Sequence, residues 1–353
     1  MKIIKFGGSN FKSKNDIDNS IDFIINQTLN DENIVIIISA FDKLTSILRD
    51  TIYNIINNSN SINHEFNKIK FFIEKYAEIN HPIISKRLEE LEQLLLAISI
   101  LEECSPKVKD NIISIGDLIS SEIFYLQLNS KISASFINSR EIFQTNSNFG
   151  NARINIEKTL INIKNNINTG VNVIAGFIGS DEFSNPTTLG LENSNLSALL
   201  CSIALDTKEC EYITDTEGIF EVDPKLITSS NINNISYFDA MKLAKFGLKL
   251  FTIEQLDLAN KYDIKLIYYS LSDLESKTTI NENSSSFNYI IIKRDKDILI
   301  FVREIDNILL KLNNIKHEDI NEIYINLKDS FIKILTENNS KEFINYLYKE
   351  LYS

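Results

Sequence analysis

MKIIKFGGSNF, residues 1–11, reads as a buried strand running into a glycine turn. Ile3 and Ile4 are β-branched and Phe6 is aromatic, residue types that fit a pleated, covered surface. Gly7 and Gly8 then permit backbone angles that other residues resist, and Ser9 and Asn10 suit a tight turn or a helix N-cap. Such a turn aims consecutive backbone N–H groups at one point, which suits an anion. Lys5 adds a positive charge beside it. Strand, lysine, two glycines and a hydroxyl point to a corner that handles a phosphoryl group. The competing reading is an ordinary strand-to-turn start of an α/β domain, because short glycine motifs are weak signals.

The chain that follows fits such a domain. Residues 16–29 carry apolar side chains at helical spacing, Ile17, Ile21, Ile24, Ile25 and Leu29. Residues 33–40, NIVIIISA, form a continuous β-branched run, the signature of a strand covered on both faces in a parallel sheet. Strand, helix and strand give a βαβ unit. Ser39 and Ala40 close the second strand at the edge where open α/β sheets bind ligands, and Thr45 follows. Residues 44–104 are helical in pattern and broken at Pro82, a helical insertion expected to shape the substrate side. Residues 112–128, IISIGDLISSEIFYLQL, read as a glycine turn feeding a helix. Asp117 would then stand in the first helical turn, where a carboxylate complements the helix dipole.

Residues 171–179, VNVIAGFIG, form a second buried strand ending in glycine. The polar run 192–195 caps a helix over 196–205, which makes a second anion-binding corner. A strand over 211–214 leads into TDTEGIFEVDPK, residues 214–225, where Asp215 and Asp223 flank Gly218 and Phe220. Acidic residues in such a loop bind ribose hydroxyls or hold Mg²⁺ through water; Asp223-Pro224 is equally a common turn pair. A helix over 239–246 and a strand over 264–270 follow. The polar stretch 281–287 reads as a linker, and residues 288–353 as a small α+β module.

Composition narrows the class. The chain has 353 residues, enough for two domains, with 43% hydrophobic and 24% charged residues, as in ordinary globular proteins. A net charge of −12 argues against nucleic-acid and anionic-membrane partners. Cys104, Cys201 and Cys210 lack paired spacing and His64, His81 and His317 are scattered, so neither a metal site nor a disulfide framework is expected. A reducing cytoplasm fits that pattern. No segment reaches the roughly 20 apolar residues of a membrane span, and the N-terminus enters a strand without a signal-peptide apolar region.

With these motifs assembled, residues 1–280 resemble an aspartokinase of the amino-acid-kinase superfamily, in motif order. KFGGSN at 5–10, ISAFDKLT at 38–45, SIGDLISS at 114–121, SREIFQTNSNFGNARI at 139–154, GFIGSDEFSNPTTLGLENSNLSALL at 176–200, TDTEGIFEVDPK at 214–225 and FGLK at 246–249 carry the resemblance. It implies an α/β fold, an open, largely parallel sheet sandwiched by helices, followed over 288–353 by a shortened single ACT-like module. The activity implied is ATP-dependent phosphorylation of the side-chain carboxylate of L-aspartate, the first step towards lysine, threonine and methionine. Lys5 would stabilise the transferred group and the N–H groups of Gly7, Gly8 and Ser9 would cradle it. Ser39, Thr45, Asp117, Ser194 and Asn195 match substrate-side positions. Thr214, Asp215, Phe220, Asp223, Lys225 and Lys249 match nucleotide-side positions, with Mg²⁺ accompanying ATP. A homodimer is implied, and the short tail implies weak or absent feedback by lysine or threonine. The chain departs from the family pattern at Leu191, where the family has an arginine for the substrate carboxylate, and at Asn195, where it has an acid. Phe220 replaces a tyrosine, Lys225 an arginine, and Asp117 a glutamate. A non-catalytic homologue and a kinase with another acceptor are the alternative readings.

Overall fold

Five apolar runs become the strands of one parallel sheet. The computed structural model describes residues 1–57, 61–190, 194–248, 250–294, 297–302, 320–326, 331–336 and 340–352. The chain divides into two compact units, Met1–Asp215 and Thr216–Ser353, earlier than the polar stretch at 281–287.

In the first unit the elements run β1 (Lys2–Phe6), α1 (Lys14–Thr28), β2 (Ile34–Ile38), α2 (Leu44–Asn57), α3 (Ile62–Glu74), α4 (Pro82–Leu101), α5 (Pro106–Asn129), β3 (Ala134–Ile137), α6 (Ser139–Ile142), α7 (Ile156–Asn166), β4 (Val171–Ala175), β5 (Ile178–Ser180), β6 (Pro186–Thr188), α8 (Ser194–Ala204) and β7 (Glu209–Ile213). The strands lie parallel in the order β3-β4-β2-β1-β7. Helix α5 packs on β2, β3 and β4 with α1 beside it, while α8 packs on β1, β2 and β7 with α7 beside it. Both faces are thus covered, and every residue from Ile34 to Ile38 has no exposed surface. Each such side chain contributes about 1.5–3 kcal/mol relative to exposure, which explains a continuous apolar run in place of alternation.

Local signals set the helix starts. Ser13 and Asp16 close a reciprocal capping box on α1. Pro82 opens α4 at its first turn, with His81 Nδ1 accepting from Ile83 N at 3.4 Å. The insertion over 44–104 therefore comprises three helices, α2, α3 and α4.

Two expectations are corrected here. Residues 112–128 contain no glycine turn: Gly116 and Asp117 lie inside the continuous helix α5. Gly116 lets α2 pack closely: a Cβ there would stand 2.7 Å from Leu48 Cδ1, so a larger residue would have to displace that side chain. Asp117 accordingly sees no helix N-terminus. The strand expected over 171–179 breaks at Gly176-Phe177, where Phe177 takes φ 69°, an uncommon angle for a bulky residue. Beyond the break, β5 turns back on β6 as an antiparallel pair.

The second unit holds β8 (Asn234–Ser236), α9 (Tyr237–Lys245), α10 (Ile253–Lys261), β9 (Lys265–Ser270) and β10 (Asp273–Asn281). Strand β10 runs antiparallel to β9 and parallel to β8. Sequence alone suggested neither β8 nor β10, because one is three residues long and the other is largely polar. A four-stranded antiparallel sheet follows, β11 (Tyr289–Lys293), β12 (Asp297–Val302), β13 (Ile320–Asn326) and β14 (Phe331–Thr336), in the order β11-β12-β14-β13. Phe343, Ile344, Leu347 and Leu351 of α11 (Lys341–Tyr352) share its core with Ile298, Ile300, Ile332 and Ile334. Residues 303–319, between β12 and β13, lie outside the described residues.

Candidate active site

The site is assembled by register. Phe6 pairs with Ile38 on one side and Ile213 on the other, and Ile38 pairs with Ala175. Gly7, Ser39, Gly176 and Thr214 therefore leave their strands at one level of the sheet edge. Strand β1 lies between β2 and β7, so the chain order reverses around it, and open α/β sheets bind ligands at such a point.

Lys5, the last residue but one of β1, is buried. A Cβ on Gly7 would lie 3.6 Å from Lys5 Nζ, so the ammonium reaches back to the glycine turn. The glycines work differently from expectation. Gly7 has φ −70° and ψ 151°, angles open to any residue, and Gly8 is not among the positive-φ glycines. What demands glycine is proximity: a Cβ at Gly8 would stand 2.2 Å from Ala40 O. Gly8 O accepts from Asp42 N at 2.9 Å, which joins the turn to the segment after β2. The Gly7 N–H is taken up by Ile213 O at 3.1 Å, because β7 continues the sheet there. Among the described residues the Gly8 and Ser9 N–H groups have no backbone acceptor. Asn10 is more than a turn former, since its Nδ2 donates to Gly7 O at 3.1 Å and Ile213 O at 2.8 Å. Ser9 is exposed at the tip.

An aromatic cluster holds this corner from below. Phe11 stacks near Phe41 at 4.6 Å, Phe41 near Tyr76 at 5.1 Å, and Phe6 and Phe11 each lie within 6 Å of Phe124. Pairs of this kind are worth about 0.5–1.5 kcal/mol beyond burial. Tyr76 Oη donates to Phe11 O at 3.1 Å, so the turn is tied to the helical insertion by a hydrogen bond as well as by packing.

Asp117 is 2% exposed. Its Oδ1 accepts from Ala40 N at 2.9 Å, while Oδ2 is buried with no hydrogen-bond partner among the described residues. Burial raises its pKa to about 7, against the opposing pull of the Ala40 N–H and the Lys5 charge. A buried carboxyl oxygen with no donor beside a lysine is a site for a cationic or hydrogen-bond-donating group. Ser120, one turn on, accepts from Phe41 N at 3.0 Å.

The stability consequence has a definite sign. The folded pKa lies above the unfolded value, so this group's favourable contribution is complete below about pH 4 and is lost as pH rises through about 7. Asp117→Asn keeps an oxygen for Ala40 N and removes the ionisation. Its Tm relative to wild type is expected to climb from pH 4.5 to pH 7.5 and then level off. Thermal scans at pH 4.5, 6 and 7.5 check this, and a flat difference would contradict it.

Ser39 Oγ donates to Ser194 Oγ at 2.9 Å, and a Cβ on Gly176 would meet Ser194 Cβ at 2.7 Å. The N-terminus of α8 is thus seated between the ends of β2 and β4. Asn195 O accepts from Tyr212 Oη at 3.2 Å. Thr45, half-buried, stands in the first turn of α2. Thr214 follows Ile213 directly, and Asp215 is exposed. In the first unit Lys5 Nζ lies by Gly7, Gly8 meets Ala40 O, the Ala40 N–H binds Asp117, and Ser39 bonds Ser194, with Ser9 and Asn195 next to these in the chain and Thr214 next to Ile213.

The remaining nucleotide-side residues belong to the second unit. Phe220 is half-buried and bridges to Asn231. Asp223 and Lys225 are exposed; Asp223 Oδ1 accepts from Lys225 N at 2.9 Å, the geometry of a turn-forming aspartate. Lys249 and Leu191 lie outside the described residues. Arg140 is committed elsewhere: its Nη2 donates to Ser114 Oγ at 2.6 Å and Asn111 Oδ1 at 3.1 Å, and Nη1 lies 3.6 Å from Glu90. Among the described residues no group of three or more His, Cys, Asp or Glu side chains could hold a metal ion. None of the described helices is long and apolar enough to cross a membrane.

Comparison with known proteins agrees with this geometry. Residues 1–267 match the amino acid kinase family. The chain is 28% identical over its whole length to the bifunctional aspartokinase/homoserine dehydrogenase of Buchnera aphidicola subsp. Acyrthosiphon pisum (strain APS), of which it spans 46%. It is 27% identical to lysine-sensitive aspartokinase 3 of Escherichia coli (strain K12), over 84% of this chain and 68% of that one. Its fold is similar to that of E. coli aspartokinase III in complex with aspartate and ADP, with a TM-score of 0.73 at 21% identity over 97% of this chain and 80% of that one. Strand order, glycine corner and family match converge, and the chain belongs to the amino acid kinase family.

Proposed function

We propose that this protein phosphorylates the side-chain carboxylate of L-aspartate with ATP, forming 4-phospho-L-aspartate. One observation carries the reading: a buried lysine, two N–H groups open to an anion and a buried carboxyl oxygen without a donor converge at one sheet edge. Similarity to proteins named aspartokinase supports the choice of acceptor.

The acceptor carboxylate is ionised at neutral pH, so no base is required. Catalysis is positioning plus neutralisation of charge on the transferred group. The Lys5 ammonium faces that group, and the Gly8 and Ser9 N–H groups bind its oxygens. Asp117 Oδ2 receives the acceptor's ammonium, and Ser39, Thr45, Ser194 and Asn195 line the acceptor side. Thr214 and Asp215, with Phe220, Asp223, Lys225 and Lys249, serve the nucleotide. Mg²⁺ enters with the phosphates of ATP, and no protein ligand is assigned to it. A cytoplasmic homodimer, with the tail from 288 as a shortened ACT-like module beyond a 281–287 linker, completes the reading.

Trapping the acyl phosphate with hydroxylamine tests it. Hydroxamate is expected only when ATP, Mg²⁺ and L-aspartate are all present. Its absence at saturating L-aspartate would reject the proposed acceptor. An ammonium beside Asp117 lowers that carboxyl's pKa, so acceptor binding near pH 6 is expected to release a proton. Calorimetry in two buffers of different ionisation enthalpy reads the release; identical heats would argue against the contact.

A further inference from the structure

We propose that Asp110 is a positioning residue that sets the acceptor-side wall of the site, with α5 as the strut between the two walls. The assignment of that wall to the acceptor rests on the proposed function above.

Asp110 is 1% exposed, and its two oxygens accept from two separate segments. Oδ2 accepts from Gly150 N at 2.8 Å and from Thr188 N at 3.0 Å, and Oδ1 accepts from Thr188 Oγ1 at 2.8 Å. The turn around Gly150 and the strand β6 are thereby joined through one carboxylate. They are also joined directly, since Ala152 N donates to Thr188 O at 3.0 Å. Two residues beyond Thr188 stands Gly190, at φ 66°, where a Cβ would lie 2.6 Å from Asn151 Oδ1. Gly190 therefore rests against the turn that Asp110 holds. Ser194, the bonded partner of Ser39, follows four residues later.

Asp117 lies seven residues further along the same helix, two turns on and on the same face, about 10 Å along the axis. Its Oδ1 fixes Ala40, at the opposite side of the acceptor space. One helix thus carries two buried carboxyls, each gripping the backbone of a different wall. Between them Ser114 accepts from Arg140, which anchors the helix to α6. A rigid helix with two grips along one face fixes the spacing of walls that come from segments far apart in sequence.

The experiment compares Asp110→Ala, Asp110→Asn and Thr188→Val in the full chain. Asp110→Ala removes three hydrogen bonds at once. It is expected to raise KM for L-aspartate by about tenfold or more, while KM for ATP stays within about twofold. Asp110→Asn keeps an acceptor for the two N–H groups and can donate to Thr188 Oγ1, so KM should return to within about threefold of wild type. Equal changes in both KM values, or no rescue by asparagine, would overturn the proposal. Hydrogen exchange provides a readout independent of turnover. Gly150 is exposed, yet its amide should exchange slowly in wild type. In Thr188→Val, which keeps both backbone N–H donors, the Gly150 and Thr188 amides should exchange faster by about threefold or more as Oδ1 loses its donor. A fast wild-type Gly150 amide would refute the clamp even if Asp110→Ala failed to fold. Absence of hydroxamate from wild type would instead reject the proposed reaction and leave exchange to judge the strut.

Discussion

Lys5→Ala is expected to cut acyl phosphate formation by at least about a thousandfold, a loss near 4 kcal/mol of transition-state stabilisation. The size follows from the surroundings. Lys5 is buried at the closed end of the corner, where charge interactions are poorly screened, and its ammonium lies beside the glycine turn that would carry the phosphoryl oxygens. Arg140 is tied to Glu90 and Ser114. Removing the lysine also deprives Asp117 of the cation that lowers its pKa, so the carboxyl should retain its proton to higher pH. Two measurements check the variant: hydroxamate yield at saturating ATP and L-aspartate, and circular dichroism to verify the fold. Retention of more than about a tenth of wild-type turnover in a folded variant would remove Lys5 from the mechanism.

Gly8→Ala is the second large effect. The added methyl would fall 2.2 Å from a backbone oxygen, Ala40 O, so either the turn or the start of the β2–α2 connection must move by about 1 Å. Either shift disturbs the Asp42 N to Gly8 O bond at 2.9 Å and the neighbouring Ala40 N to Asp117 bond. The expected result is a fall in kcat/KM of about a hundredfold with a stability loss of about 1–3 kcal/mol. Gly7→Ala is the contrast. Its methyl would meet the movable end of Asn10 at 3.3 Å, and the backbone angles there suit alanine. A loss of less than about tenfold is expected for it. Steady-state kinetics and thermal melts of the pair separate the two, and equal losses would show that proximity to Ala40 is not what requires Gly8.

The contrast between these glycines marks where the sequence is readable. The β-branched runs at 2–6, 34–38 and 171–175 announced strands because a strand covered on both faces carries consecutive apolar residues in place of alternation. Pro82 marked a break in the helical pattern, because proline acts on the backbone within one turn of chain. Motif order singled out Lys5, Gly8, Ser39 and Ser194; parallel register sets the ends of β1 and β2 at one level, and Ser194 joins them by its bond to Ser39. A buried polar stripe on α5, Asp110, Ser114, Asp117 and Ser121, was present in the letters at spacings of three and four, yet nothing local said what it faced.

The sequence by itself determined the α/β class, strands of the parallel sheet and the residue types at the edge where the glycine turn lies, since these follow from periodicity and side-chain chemistry over a few residues. The tertiary structure alone decided that Gly116 serves close helix packing, that Gly7 gives up its N–H to β7, and that Asp117 is a mid-helix carboxyl with one oxygen unpaired. Each depends on a partner distant in the chain: Leu48 for Gly116, Ile213 for Gly7 and Ala40 for Asp117. A steric limit or a desolvation cost set by such a partner exists only once folding has brought the two together.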